Sequence, residues 1–226
     1  MDTMLLIGNQ PKYGSEFVEY LDDNPLKEKN ILFLGSSVTY GASSMEDSIP
    51  EYFHKRFGCS YTKEAVSGTT LVDEDETSYV SRLINNVDTM AKYDYFICQL
   101  STNDASQNKD LGKISDSFSI DSFDRTTITG AIEYIIAYVK DTWGCPVAFY
   151  TGSRYESATY GAMVERLFEI ADKWNINVID LWTGNQFNSI EDKDRNLYMN
   201  DPIHPTKAGY MKWWCPEIER QFLGFI

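Results

Sequence analysis

From residue 31 onward, apolar runs alternate with stretches of helical spacing. ILFLG (31–35) reads as a buried strand, because its apolar residues follow one another without the polar interruptions of a half-exposed strand. EYFHKRF (51–57) is a short helical candidate, and YTKEAVSG (61–68) a second strand closing on a glycine turn. SYVSRLINNVDTMAKY (78–93) places Val80, Leu83, Ile84, Val87 and Met90 at helical spacing and predicts a helix. YFICQLSTND (95–104) is a strand running into a polar turn. TITGAIEYIIAYVKDTWG (127–144) predicts the strongest helix, ended by Gly144 with Pro146 just beyond. PVAFYTG (146–152) and INVIDLW (176–182) are strands, whereas 160–175 and 207–223 are helices.

Repeated strand–helix alternation with short connections predicts an α/β fold with a mainly parallel central sheet covered on both faces. In such sheets ligands bind beyond the carboxyl ends of the strands. The turns GSSVT (35–39), VSGTT (66–70) and STND (101–104) fall there. The Ser- and Asp-rich stretch 105–125 is the longest irregular piece, and is expected to rim a site. No internal repeat is present.

Composition narrows the function classes. The chain has 226 residues and a formal net charge of −14, with the acidic groups spread along its length. That disfavours nucleic acid and anionic membrane as partners, since phosphate binding needs clustered Lys and Arg. No apolar run approaches the ~20 residues of a membrane span. MDTMLLIGNQPKYG lacks the basic start of a signal peptide, so a cytoplasmic location is expected. The four cysteines, Cys59, Cys98, Cys145 and Cys215, show no zinc-like spacing; they allow two bridges without demanding them. Cys98 in YFICQL reads as a small buried hydrophobe. DEDE (73–76) reads as a solvated loop, and no metal or cofactor is expected.

There are two histidines. His54, in EYFHKRF, is expected on a surface helix. His204 lies in NDPIHPTKAGY, where Pro202 and Pro205 stiffen a turn that begins at Asp201, three residues earlier. Adding Ser37 completes the parts of a nucleophilic hydrolase. A serine hydroxyl needs a base within reach, the base needs an orienting group, and the oxyanion needs donors. Backbone N–H groups of Ser37 and Gly68 and the Asn103 amide would serve as those donors. Asn103 has an alternative as a cap of its turn, and Gly68 as a plain turn glycine.

GSSVT (35–39), Gly68 in AVSG, STND (101–104) and DPIH (201–204) resemble, in order and spacing, the four blocks of SGNH (GDSL-type) hydrolases. The resemblance runs from Ile31 to the C-terminus. It implies a three-layer α/β/α sandwich of flavodoxin-like type over 1–226 as one domain, with 1–30 as an extension packed on the core. It also implies ester hydrolysis through an acyl-enzyme. Ser37 matches the nucleophile, Asp201 and His204 the rest of the triad, and Ser37, Gly68 and Asn103 the oxyanion hole. Two positions depart from the family pattern. Ser36 stands where an aspartate is usual, and Ser101 where a glycine is usual; the latter side chain is expected to narrow the pocket. Thr39 is expected to cap the first helix.

The hydroxyl-rich first block resembles the branch acting on acylated carbohydrates, which implies a short-chain, acetyl-type ester of a sugar or other small molecule as substrate. A lysophospholipase- or thioesterase-type lipid hydrolase is the alternative, with Tyr155, Tyr160, Phe187, Tyr198 and Met199 as a greasy channel. Outside catalysis, an inactive sugar-binding relative or a flavodoxin-like cofactor binder remain. GSSVTYG lacks the G-x-G-x-x-G spacing of dinucleotide sites, and a phosphate site leaves Asp201 and His204 unexplained. Trp182, Trp213 and Trp214 are read as packing residues. The oligomeric state is not legible.

Overall fold

The computed structural model describes residues 6–226. Five strands form one sheet: β1 Asn30–Gly35, β2 Ser60–Ala65, β3 Tyr95–Gln99, β4 Val147–Tyr150 and β5 Asn177–Ile179, in the order β2-β1-β3-β4-β5. Every strand pair is parallel. The helices are α1 Ser37–Tyr40, α2 Ile49–Phe57, α3 Tyr79–Asn86, α4 Thr102–Ser106, α5 Ile128–Thr142, α6 Ala158–Trp174, α7 Asn185–Asn188, α8 Asp192–Tyr198, α9 Lys207–Gly209 and α10 Cys215–Leu223.

Alternation along the strands sorts the core into two layers. Leu32, Leu34, Phe96, Cys98, Val147 and Phe149 face one cluster with α3, α5 and α6. Ile31, Phe33, Ile97, Ala148, Tyr150 and Ile179 face the other, with α2 and the C-terminal helix. The strands read as unbroken apolar runs because both faces are covered. This is the expected three-layer α/β/α sandwich. Strand order reverses at β1, whose neighbours are β2 on one side and β3 on the other. The crevice of such a sheet opens there, beyond the carboxyl ends of β1 and β3.

Several boundaries differ from the sequence pattern. The helix predicted over 78–93 stops at Asn86, and Val87 is already extended. Asp88 Oδ1 accepts from Met90 N at 2.8 Å and makes a turn, leaving Met90 86% exposed. A side-chain acceptor has here replaced the helical carbonyl. The final helix is interrupted by a π-helical stretch, Tyr210–Trp214, directly before Cys215 and Pro216. Proline has no N–H for the i→i−4 ladder, and the wider π turn accommodates it.

The four cysteines are buried and free. Burial pushes the Cys98 thiol well above its ordinary range. His54 is exposed on α2, with its ring Nδ1 2.8 Å from the Cys59 carbonyl. Trp213 and Trp214 are core residues, and Trp182 packs at the edge of the other layer. No helix among the described residues is long and apolar enough to cross a membrane.

The 6–30 stretch lies against the C-terminal part of the chain. Asn9 Oδ1 accepts from Lys207 N at 2.9 Å while Asn9 Nδ2 donates to the Ser43 carbonyl at 2.8 Å, and Leu26 is fully buried. The 105–125 stretch is fastened across α5 and α6. Leu111 O accepts from Thr129 N at 3.0 Å, Ser115 N donates to Glu133 Oε2 at 3.0 Å, and Lys173 Nζ donates to the carbonyls of Ser115 and Ser117 at 2.6 and 2.7 Å.

Candidate functional site

Beyond β1 the chain turns sharply into the one-turn helix α1, and Ser37 is its first residue. Thr39 does not cap that helix; it lies inside it. Its hydroxyl points back to the sheet, 2.9 Å from Gln99 Oε1 and 2.6 Å from the Tyr150 hydroxyl. Gln99, buried at the end of β3, is the hub of the turn. Its Oε1 also accepts from the N–H of Ser36 and of Thr39, both at 3.0 Å. Its Nε2 donates to Ser36 Oγ at 3.1 Å. Ser36, where the family pattern has an aspartate, is thus held by an amide from the neighbouring strand. Gly35 is required beneath it, since a Cβ there would lie 1.8 Å from Thr39 Oγ1.

Arg82 on α3 binds the same turn from the other side. Its Nη2 donates to the Gly35 carbonyl at 2.8 Å and to Thr69 Oγ1 at 3.2 Å. Nη1 meets Glu64 Oε1 at 2.9 Å, and Nε donates to the Thr77 carbonyl at 2.8 Å. One buried guanidinium therefore ties the β1 turn to the β2 turn. Gly68, in the latter, has a φ of +85° that only glycine adopts without strain, and no atom lies within 4 Å of the space a Cβ would fill.

Asn103 sits on α4 with its Nδ2 donating to the Thr69 carbonyl at 2.8 Å. An amide nitrogen has a second N–H. Capping of α4 falls to Ser101, whose Oγ accepts from the N–H groups of Asn103 and Asp104 at 3.2 and 3.4 Å. Ser101 is fully buried, so it is a cap rather than the expected constriction of the pocket. Asp104 accepts from the N–H of Leu71 and Val72 at 2.8 and 3.1 Å. Burial pushes its carboxyl above the ordinary value, against the pull of these bonds and of Ser101.

The last block is a local device. Asp201 Oδ1 accepts from the N–H of Ile203 and His204 at 2.8 and 2.9 Å, folding the turn onto its own carboxylate. A bridge between Met199 and Pro205 and a bond from Asn200 N to the His204 carbonyl at 2.9 Å close it. His204 Nδ1 lies 2.8 Å from Asp201 Oδ2, and Nε2 lies 2.8 Å from Ser37 Oγ. Burial works to raise the Asp201 carboxyl, but the two N–H groups and the imidazole outweigh it and hold it below its ordinary value. Asp201 is therefore an anion beside an imidazole whose other nitrogen faces a hydroxyl, an arrangement able to draw a proton from that hydroxyl.

Ser37, Asp201 and His204 are thus brought into one hydrogen-bonded line, and Asn103 and the Gly68 turn meet through the 66–70 loop. The sequence reading missed Gln99 and Arg82. The available signal was a glutamine in the apolar run YFICQL and an arginine on the apolar side of α3. Beside the line runs a narrow slot with about 10 Å³ of free space. Val38, Thr102 and Ile203, the chain neighbours of Ser37, Asn103 and His204, line it together with Tyr155 and Tyr160. The aromatic channel envisaged for a lipid is not assembled: Phe187 and Tyr198 stack on Trp213, while Tyr160 is fully buried.

The model of the GDSL-like lipase/acylhydrolase family matches residues 33–212. Among curated proteins no relative matches the chain. Solved structures with the same fold include a protein from Lactobacillus plantarum, at 17% identity and a TM-score of 0.68, covering 88% of this chain and 96% of that one. A carbohydrate acetylesterase family member from Sinorhizobium meliloti is 16% identical with a TM-score of 0.56, covering 87% and 99%. A family two carbohydrate esterase from Clostridium thermocellum, solved with cellohexaose, is 16% identical with a TM-score of 0.59, covering 91% of this chain and 66% of that one.

Proposed function

The chain belongs to the GDSL-like lipase/acylhydrolase family, hydrolases of ester bonds, and on that premise we propose that it is a serine esterase removing a short acyl group, acetyl foremost, from a carbohydrate. The observation that carries the reading is the line from Ser37 Oγ through His204 Nε2 to Asp201, 2.8 Å at each link. Ser37 Oγ attacks the ester carbonyl carbon while His204 Nε2 takes its proton. The carbonyl electron pair moves onto oxygen, toward the backbone N–H groups of Ser37 and Gly68 and the free N–H of Asn103. Collapse breaks the bond to the alcohol oxygen, which leaves with the proton from His204. Water, deprotonated by the same imidazole, then attacks the acyl-enzyme, releases the carboxylic acid and restores Ser37. Asp201 holds the imidazole tautomer and balances its charge.

A short acyl group is favoured over longer chains because the aromatic side chains available for a lipid channel are packed elsewhere: Phe187 and Tyr198 stack on Trp213, and Tyr160 is fully buried. The carbohydrate part rests on two solved neighbours of the same fold, a carbohydrate acetylesterase family member and a carbohydrate esterase holding cellohexaose. Ser37→Ala and His204→Ala are each expected to lower hydrolysis of p-nitrophenyl acetate by more than about 10³-fold with the fold intact by circular dichroism. Full activity in the Ser37→Ala protein overturns the mechanism. In an acyl-length series, kcat/KM is expected to fall from acetate to octanoate; a rise assigns the protein to lipid esters instead.

A further inference from the structure

Of the seven arginines in the chain, five pair with a carboxylate: Arg56 with Glu219, Arg82 with Glu64, Arg125 with Asp73, Arg166 with Glu169 and Arg220 with Glu217. Among the described residues the two without such a partner, Arg154 and Arg195, line the same basin. That basin adjoins the site. Its larger part, about 320 Å³, is bounded by Asp201 and Pro202 of the histidine turn, and by Tyr155, which also lines the narrow slot. Its outer part, about 240 Å³, is bounded by the two arginines with Asn185, Asn188 and Ser189.

We propose that this basin binds an oxyanion, a carboxylate or a phosphate, on the alcohol half of the ester, so that the substrate is an acylated acidic sugar. The inference rests on Ser37 as the nucleophile, with the alcohol half of its ester extending past Asp201 and Tyr155 into the basin. Arg154 is held in place by uncharged acceptors: Nε by the Trp182 carbonyl at 3.1 Å, Nη1 by Asn185 Oδ1 at 3.1 Å and Nη2 by the Thr183 carbonyl at 2.8 Å. Three of its five N–H groups are used, its charge is uncompensated, and two donors remain in a fixed fork. Arg195, half-buried on α8, has no side-chain hydrogen bond or ion pair among the described residues. A chain with 34 acidic residues offers carboxylates for both, yet these two cations share the basin and, among the described residues, neither forms an ion pair. Glu156 is the one other carboxylate on the basin besides Asp201, on its inner part; it forms no ion pair with either arginine. The net charge of −14 repels an anion at long range, so recognition here acts at contact.

The test is calorimetric titration of the wild-type protein with glucuronate, glucose 6-phosphate and glucose. At least one acidic sugar is expected to bind about tenfold or more tightly than glucose, and the two acidic arms separate carboxylate from phosphate. Arg195→Gln, which loses no internal bond, is expected to abolish the difference, and Arg195→Lys to keep part of it. Added salt is expected to shrink it. Equal affinity for the three sugars, no measurable binding of any of them, or a preference that survives Arg195→Gln overturns the proposal. Kinetics then separate it from the esterase reading: on acetylated glucuronate against acetylated glucose, the advantage is expected in KM rather than kcat. If neither ester is hydrolysed the esterase reading fails, whereas the titration still decides the basin.

Discussion

The two turns that meet at the Ser37–His204 contact are built in opposite ways. The serine turn is buried, and nearly everything that holds it comes from elsewhere in the fold: Gln99 from β3, Tyr150 from β4 and Arg82 from α3. The histidine turn is half-exposed and holds itself, with Asp201 accepting from the N–H groups two and three residues on. The first is rigid because the sheet positions it. The second is a proline-flanked clip whose own carboxylate serves both the backbone and the imidazole. A nucleophile thus depends on global packing, and its base on a few adjacent residues.

Asp201→Asn breaks the comparison most sharply. The carboxylate is the acceptor at His204 Nδ1, at 2.8 and 3.0 Å, and among the described residues no backbone carbonyl shares that position. An amide would present the wrong group to one ring tautomer, so kcat is expected to fall by about 10³-fold. Stability is expected to change by only about 1 kcal/mol, because the turn is solvated and loses charge-assisted bonds rather than burying orphaned groups. Steady-state kinetics beside urea unfolding checks both numbers. An Asn variant retaining a tenth of wild-type kcat would show that another group orients the imidazole.

Gln99→Leu makes the converse case. It leaves the N–H groups of Ser36 and Thr39 and the Ser36 hydroxyl without Gln99, whereas the Thr39 hydroxyl keeps that of Tyr150. At about 1–3 kcal/mol per unsatisfied buried group, partly relieved by relaxation, a net loss of about 3 kcal/mol is expected in urea unfolding. A smaller kinetic effect, about 10²-fold in kcat, follows from the displaced Ser37. A variant that loses activity without stability would make Gln99 a participant in the reaction instead of a support for the turn.

The same contrast explains what could be read in advance. DPIH announces its chemistry because its partners are neighbours in the chain, and GSSVT, Gly68 and STND are short blocks at strand ends. Gln99 and Arg82 were illegible because they act 63 residues from Ser36 and 47 residues from Gly35, and the groups they bind there include backbone N–H and C=O, which carry no residue identity. Local substitutions misled for a related reason. Ser101 looked like a wall of the pocket, but a serine at an N-cap position has two backbone donors to accept from, and it turns inward. The length of the 78–93 helix failed where a side chain competed with the backbone at Asp88, whereas the last helix keeps its expected span, 207–223, with a π-helical stretch before Pro216. The layer order and the strands were legible, since continuous burial on both faces of a parallel sheet leaves an unbroken apolar run.

Acid offers the gentlest way to separate the two turns. In the serine turn the N–H groups of Ser36 and Thr39 are held by the Gln99 amide, which does not titrate, whereas the histidine turn is held by a carboxylate whose folded-state value lies below the ordinary one. A depressed carboxyl contributes stability that is complete above its unfolded value of about 3.9 and is lost as pH falls through the lower folded value. Between about pH 6 and about pH 2.5, hydrogen-exchange protection at Ile203 and His204, corrected for intrinsic rates, is therefore expected to drop. Protection at Ser36 and Thr39, whose N–H groups are bonded to Gln99, is expected to hold over the same range. If all four fall together, the turns open as one unit and the division between a packed nucleophile and a self-held base is wrong. If Ile203 and His204 keep their protection, the Asp201 carboxylate is not what folds the turn, and the strength of the clip lies in Pro202 and Pro205 instead.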